Sequence, residues 1–124
     1  TRYSPIVRRL FADAPRSGDL PPGPGVRYLG EARALDRGAW VRLEVRLQAG
    51  IVTDARFRAW GCPHLIAACA LATERLVDKP AAVAGRLDPL ELSRELAVPT
   101  EKLGRLLVLE DALRTLAAGM AEAQ

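Results

Sequence analysis

Two cysteines and a single histidine, with only two residues each of Trp, Tyr and Phe, limit what this 124-residue chain can do. Two cysteines cannot form the disulfide framework of a small secreted domain. Cys62 and Cys69 stand seven positions apart, roughly 10 Å along a helix, beyond the Cα separation of about 7 Å that a disulfide tolerates. Both therefore read as free thiols of a reducing compartment, with the cytoplasm as the expected location. No long apolar run occurs. The most apolar stretch, residues 65–72, is far shorter than the ~20 residues of a membrane span. The opening Thr1-Arg2-Tyr3-Ser4-Pro5 leads into a charged amphipathic stretch, not an apolar leader. There is no phosphate-binding Gly-rich loop, no dinucleotide fingerprint, no Gly-x-Ser-x-Gly and no Cys-x-x-Cys. A protein without catalytic activity of its own is the expectation. Lysine is scarce as well: 18 basic residues against 15 acidic give a net charge of only +3. That is too weak to argue for nucleic acid, although a local patch could still matter.

What is present is ordinary for a globular chain: 49% hydrophobic and 27% charged residues. The length suits one domain, residues 1–124, with one core. Ser4-Pro5 reads as the cap and first position of a short helix that Pro15 limits. The Pro- and Gly-rich residues 16–25 cannot form a helix or an interior strand and read as a mobile or functional loop. Residues 26–33 form a weak first strand. Ala39, Val41, Leu43, Val45 and Leu47 then alternate with Trp40, Arg42, Glu44, Arg46 and Gln48, the clearest strand in the chain. Ala49-Gly50 turns it, and residues 51–60 return antiparallel, with Arg46 opposite Asp54 and Glu44 opposite Arg56 as charge pairs. Residues 62–77 read as a helix with an apolar stripe of Leu65, Ile66, Cys69, Ala72 and Leu76. Residues 81–84 and 89–96 are short helical pieces. Pro99-Thr100 opens the last helix, whose core face is Leu106, Leu109, Leu113, Leu116 and Met120. The expected fold is α+β: an N-terminal helix, a three-stranded antiparallel sheet, then a helical half packed on that sheet.

The most informative stretch is residues 54–66, which begins as a strand and ends as a helix. Gly61 breaks the strand and Pro63 suits a first helical position, so Cys62 falls at the helix cap. There the free N–H groups and the helix dipole would favour a thiolate. The alternative is a small residue that fits a tight turn. Cys62 and His64 with Asp36, from the turn after the first strand, form the one cluster that could hold zinc or iron with an open position. The blander reading of His64, an exposed helix-start residue, is preferred. Cys69 lies on the apolar stripe and reads as a buried small hydrophobe. Arg42, Arg46, Arg56 and Arg58 share the outer sheet face with Trp40 and Trp60, a pattern able to bind single strands by stacking. Glu44 and Asp54 on the same face favour a solvated surface laced with ion pairs instead.

In order and spacing the chain resembles the NifU/IscU-type iron–sulfur cluster scaffold. Tyr3-Ser4 with Ala14-Pro15-Arg16 resembles that family's opening. Residues 50–57, Gly-Ile-Val-Thr-Asp-Ala-Arg-Phe, are similar to its Gly-Ile-Ile-Glu-Asp-Ala-Arg-Phe hairpin, and Trp60-Gly61-Cys62 to its Tyr-Gly-Cys. Ile66-Ala67 with Thr73-Glu74, then Leu92-Ser93-Arg94-Glu95-Leu96, Val98-Pro99-Thr100-Glu101-Lys102 and Glu110-Asp111-Ala112-Leu113 follow its later motifs. The resemblance implies the scaffold fold and a role in iron–sulfur cluster assembly, with Cys62 as a sulfur- or metal-binding thiol. It further implies a cysteine desulfurase as sulfur donor and a chaperone reading the segment from Pro99 to Lys102. The ligands depart from the pattern. Counting back from Gly50, the family's first cysteine falls on Asp36 and its aspartate on Gly38. Its His-Cys pair is replaced by Gly104-Arg105, and His64 stands where the family has a small residue. A [2Fe–2S] cluster takes about four protein ligands, and the matched positions offer at most two. Two rivals therefore stand beside the scaffold reading: a protein-binding or regulatory module that ligates nothing, and a nucleic-acid binder using the arginine face.

Overall fold

The computed structural model describes residues 3–122. Helix α1 (Pro5–Asp13) opens the chain, with the Ser4 side chain accepting a hydrogen bond from the Val7 N–H as its cap. The helix stops because Ala14, ahead of Pro15, turns left-handed and its N–H closes onto the Leu10 carbonyl. Strands β1 (Val26–Ala34), β2 (Ala39–Gln48) and β3 (Ile51–Trp60) form one antiparallel sheet in that order. A single 3-10 turn, Leu35–Arg37, joins the first two strands. Helix α2 (Pro63–Leu76), a 3-10 turn at Ala81–Gly85, helix α3 (Pro89–Leu96), a longer 3-10 segment at Thr100–Leu106 and helix α4 (Leu107–Glu122) complete the chain.

The alternation in β2 places Val41, Leu43, Val45 and Leu47 against the helices, joined by Val52, Ala55 and Phe57 of β3. The expected register holds, with Glu44 opposite Arg56 and Arg46 opposite Asp54. One irregularity escapes a strict period-two reading. The register slips after Arg46, leaving Thr53 as the extra residue of a bulge, so that Val52 also points inward. The side chains do not pair across the expected rungs. Glu44, almost fully buried, takes Arg27 at 2.7 Å, and Asp54 takes Arg16 at 2.9 Å.

Helix α2 departs from a one-sided stripe. Ala67, Ala68, Ala70 and Thr73 are as buried as Leu65, Cys69 and Leu76, because β3, α1 and α3 all pack against it. Its alanines make that close approach possible. The last helix begins at Leu107 and not at Thr100; residues 100–106 wind more tightly as the 3-10 segment that leads into it. The expected core face of α4 is buried, from Leu109 through Met120. Helix α4 lies directly beneath β1 at Gly30, where a Cβ atom would sit 2.3 Å from the Ala112 carbonyl oxygen.

Residues 16–25 are pinned, not free. Gly18 donates to the Phe57 carbonyl, and the Phe57 N–H donates to the carbonyl of Arg16, which closes part of the outer edge of β3. Further along the same edge, Val52 donates to Lys79 and accepts from Asp78. The loop then crosses the outer sheet face. Asp19 bridges Arg58 at 2.7 Å and Arg42 at 3.3 Å, and Arg46 donates to the carbonyls of Pro21 and Gly23. Among the described residues no helix is long and apolar enough to cross a membrane.

Candidate functional site

Three segments that are far apart in sequence meet at one end of the sheet. They are the Leu35–Arg37 turn, the junction of β3 with α2, and the Thr100–Leu106 segment with the start of α4. Between them lies an open cleft of about 1090 Å³. Gly61 makes the junction possible: its φ of 152° is one that a side chain rarely adopts, and a Cβ there would meet Leu65 at 2.8 Å. Cys62 follows at the helix cap and is half-buried on the cleft wall. Its backbone carbonyl accepts the Leu65 N–H at 3.0 Å and the Ile66 N–H at 3.2 Å. Its side chain makes no capping hydrogen bond, which corrects the expectation that the helix N–H groups engage the sulfur.

Asp36, Gly104 and Arg105 line the same cleft as Cys62. The two sides are tied by Arg37, whose Nη1 donates to the Gly104 carbonyl at 3.0 Å. Lys102 sits on the same 3-10 segment as Gly104 and Pro99 caps its start, both outside the cleft lining; the Lys102 N–H closes onto the Pro99 carbonyl at 2.8 Å. The sequence reading missed Arg33, Arg37 and Asp111 as site residues; Trp60, read as an outer-face aromatic, and Glu101, within the segment from Pro99 to Lys102, also line the cleft. Arg37 was discoverable only as the neighbour of Asp36, because its contact spans 67 residues.

His64 is the residue that the structure moves most. It is not the exposed helix-start residue expected, and it does not join Cys62 and Asp36 at the cleft. It is 3% exposed, with its ring 4.8 Å from that of Tyr3 and its Nε2 buried without a partner. The cause is tertiary: α1 packs on α2, and Ser4 Oγ donates to the Leu96 carbonyl at 2.7 Å, which brings Tyr3 over the start of α2. Among the described residues no three His, Cys, Asp or Glu side chains group as a metal site. Burial, reinforced by the charges of Lys102 and Arg105, holds His64 below its ordinary pKa of 6.5. The unfolded chain therefore takes up the proton first as pH falls. The contribution to stability is complete above about pH 6.5 and is lost progressively below it. Urea midpoints measured between pH 7.5 and 5.5 are expected to fall, and His64→Phe is expected to flatten that slope. An unchanged slope in the variant would rule out His64 as its source.

Cys69 lies on the inner side of α2, wholly buried, and burial pushes its thiol well above the ordinary range. The four outer-face arginines are engaged: Arg42 and Arg58 by Asp19, Arg46 by the loop carbonyls, Arg56 by Asp54. Their guanidiniums are spent on holding the loop, whereas an open stacking platform would leave them free.

Residues 3–121 match the model of the NifU-like N terminal domain. The iron–sulfur cluster assembly enzyme IscU of Drosophila melanogaster is 33% identical over 78 residues, covering 62% of this chain and 51% of that protein. The iron–sulfur cluster assembly scaffold protein IscU of Azotobacter vinelandii is 32% identical over 78 residues, 62% of this chain and 61% of its own length. The chain thus spans little more than half the length of these curated relatives. In three dimensions it resembles a putative iron–sulfur cluster assembly scaffold protein for the SUF system from Fervidobacterium islandicum AW-1, with a TM-score of 0.70 over 93% of this chain and 96% of that one at 15% identity. The N-terminal part of a nitrogen-fixing NifU-like protein from Brucella abortus gives 0.57 over 92% and 79% at 16% identity. At those identities the likeness is one of fold: the same α+β arrangement of a three-stranded antiparallel sheet and packed helices. With a match that runs from Tyr3 through the last helix, the chain belongs to the NifU-like N terminal domain family.

Proposed function

We propose that this protein serves iron–sulfur cluster assembly as a scaffold-type protein, without catalytic activity of its own, in which Cys62 is the thiol that receives sulfur. One observation carries the reading: Asp36, Cys62 and Gly104-Arg105, the three places where the resemblance puts ligands, converge on a single cleft. The relatives named above are called scaffold proteins or an assembly enzyme for such clusters. The donor set does not fit a resident cluster. Cys62 is its only thiol, since Cys69 belongs to the core, and Arg37 and Arg105 bring fixed positive charge to the same walls. Sulfur receipt needs no metal. A sulfane sulfur moves from a donor cysteine persulfide to the Cys62 thiolate, and the donor leaves as a thiolate, so no external oxidant is consumed.

A cysteine desulfurase is the proposed donor, a chaperone reading Pro99 to Lys102 a further partner, and the cytoplasm the proposed compartment. Anaerobic incubation with a cysteine desulfurase and cysteine, followed by peptide mass mapping, is expected to place one sulfur on Cys62 and none on the Cys62→Ser variant. Addition of iron is expected to give less than one visible-absorbing cluster per chain. Absence of sulfur on Cys62 would refute the reading, and a stoichiometric cluster would refute the altered ligation. The poor donor set favours a second reading, a docking or regulatory module that binds the desulfurase without accepting sulfur. Desulfurase binding unaffected by Cys62→Ser, with no sulfur transferred, would select it. Nucleic-acid binding is the least supported, since the arginines it needs are already engaged. Steeply salt-dependent binding of single-stranded DNA or RNA would revive it.

A further inference from the structure

The two edges of the sheet are treated differently. That of β3 is covered by residues 16–18 at one end and 78–81 at the other. That of β1 pairs with nothing among the described residues. Strand β1 is nine residues long, runs without a bulge against β2, contains no proline, and exposes Val26 at 56% and Leu29 at 43%. Natural proteins block such an edge or pair it. The exposed charges of β1 look at first like a block. Their order makes them selective.

Arg27, Leu29, Glu31 and Arg33 share the outer face, opposite Arg46, Glu44, Arg42 and Trp40. When a second copy lies antiparallel about a two-fold axis at Leu29, Arg27 of each copy, which also holds Glu44, faces Glu31 of the other, which also accepts from Trp40, and the two Leu29 side chains meet between these shared pairs. On the inner face Tyr28 then lies opposite Gly30. Moving the axis to Gly30 sets Arg27 against Arg33, and moving it to Glu31 sets that carboxylate against itself. Like charges opposite one another are unfavourable. An axis at Ala32 would pair Glu31 with Arg33 but overlap only five residues of the strand, so the Leu29 register, with seven, is the longest that pairs opposite charges.

Helix α4 supplies the second observation. It runs under β1, so two copies joined there bring their α4 helices side by side. Ala117 packs on Gly85 of the Ala81–Gly85 turn, which also contacts α2. Gly119, two residues on, is about 200° further round the helix and faces the opposite flank, away from α2. A Cβ at Gly119 would meet nothing within 4 Å. A glycine inside a helix is costly, and nothing among the described residues of one copy requires it. Thr115 and Ala118 on the exposed side of α4 are also small. A seven-residue strand pair alone is small for a stable interface of about 1,200–2,000 Å², and a close helix crossing would add the remainder.

We propose that the protein forms a two-fold dimer in which β1 pairs with β1 of a second copy, in the register centred on Leu29, and the α4 helices cross at Gly119. Sedimentation equilibrium over a wide concentration range tests it. The unaltered protein is expected to dimerise. Glu31→Arg is expected to weaken the dimer about tenfold or more. Gly119→Leu is expected to abolish the dimer while the variant, compared under dilution to monomer, melts no lower than the unaltered chain. A protein that stays monomeric at every concentration, or a dimer that ignores both Glu31→Arg and Gly119→Leu, would overturn the proposal. So would binding of an extended peptide to the β1 edge of a persistently monomeric chain.

Discussion

Gly30→Ala is expected to destabilise the protein by about 3 kcal/mol, the upper range for forcing extra volume into a packed core. Gly30 sits on the inner face of β1, opposite Leu43. An added Cβ would lie 2.3 Å from the Ala112 carbonyl oxygen, 2.7 Å from Leu116 Cβ and 2.8 Å from the Leu116 nitrogen. Two of these are backbone atoms, so no rotamer change relieves the contact. Helix α4 has to lift from the sheet, which opens the packing of Leu109, Leu116 and Met120 beneath it. The first turn of α4 also forms one wall of the Cys62 cleft, through Leu107, Val108 and Asp111. The variant is therefore expected to loosen the cleft as well as lower the urea midpoint. Circular dichroism melts in urea measure the first effect, and the labelling rate of Cys62 measures the second. A loss below about 0.5 kcal/mol, the range of an inert surface change, would mean that α4 does not rest on β1 as described.

The second large effect is a difference in thiol reactivity. Cys62 is half-buried on an open cleft, and Cys69 is wholly buried in α2 two turns away. Only the thiolate reacts, and burial holds the Cys69 thiol far above its ordinary range. Near neutral pH the thiolate fraction falls about tenfold each time a thiol's pKa rises by one. A neutral alkylating reagent is therefore expected to modify Cys62 more than about a hundredfold faster than Cys69, with Cys69 reacting only as the fold opens. Peptide mass mapping over time reads this directly. Cys62→Ser is expected to remove the fast phase with little change in stability. Cys69→Ser is expected to keep it and to cost about 1–3 kcal/mol by placing a hydroxyl in the core. Equal rates at the two cysteines would remove Cys62 as the reactive centre and leave the sulfur-accepting role without support.

Period-two alternation in residues 39–48 and 51–60, and the turn between them, made the sheet legible, because each side chain there answers only to its immediate strand neighbours. Helix starts were legible where the signal is local: Ser4 and Pro5 at α1, and Pro89 at α3. The start of α4 was misplaced because proline and threonine open a 3-10 turn as readily as an α-helix, and the choice at residues 100–106 rests on what Leu106 packs against. The ion pairs of the sheet were misassigned for a similar reason. Register alone puts Arg46 beside Asp54, yet the loop of residues 16–25 offers Arg46 carbonyls and gives Asp54 a different arginine.

By itself the sequence determined the architecture, the family pattern and Cys62 as the one thiol at a strand-to-helix junction, since periodicity, turn chemistry and motif spacing are all written within a few residues of each other. Beyond Asp36, Cys62 and Gly104-Arg105, which the family pattern already brought together, tertiary structure decided which side chains share the cleft. Arg37 reaches Gly104 across 67 residues, and His64 leaves its neighbour Cys62 to lie buried under Tyr3. Those outcomes depend on how α1, the Leu35–Arg37 turn and the segment before α4 settle on one sheet. Such contacts join parts of the chain whose separation in sequence says nothing about their distance in space, and no local pattern encodes them.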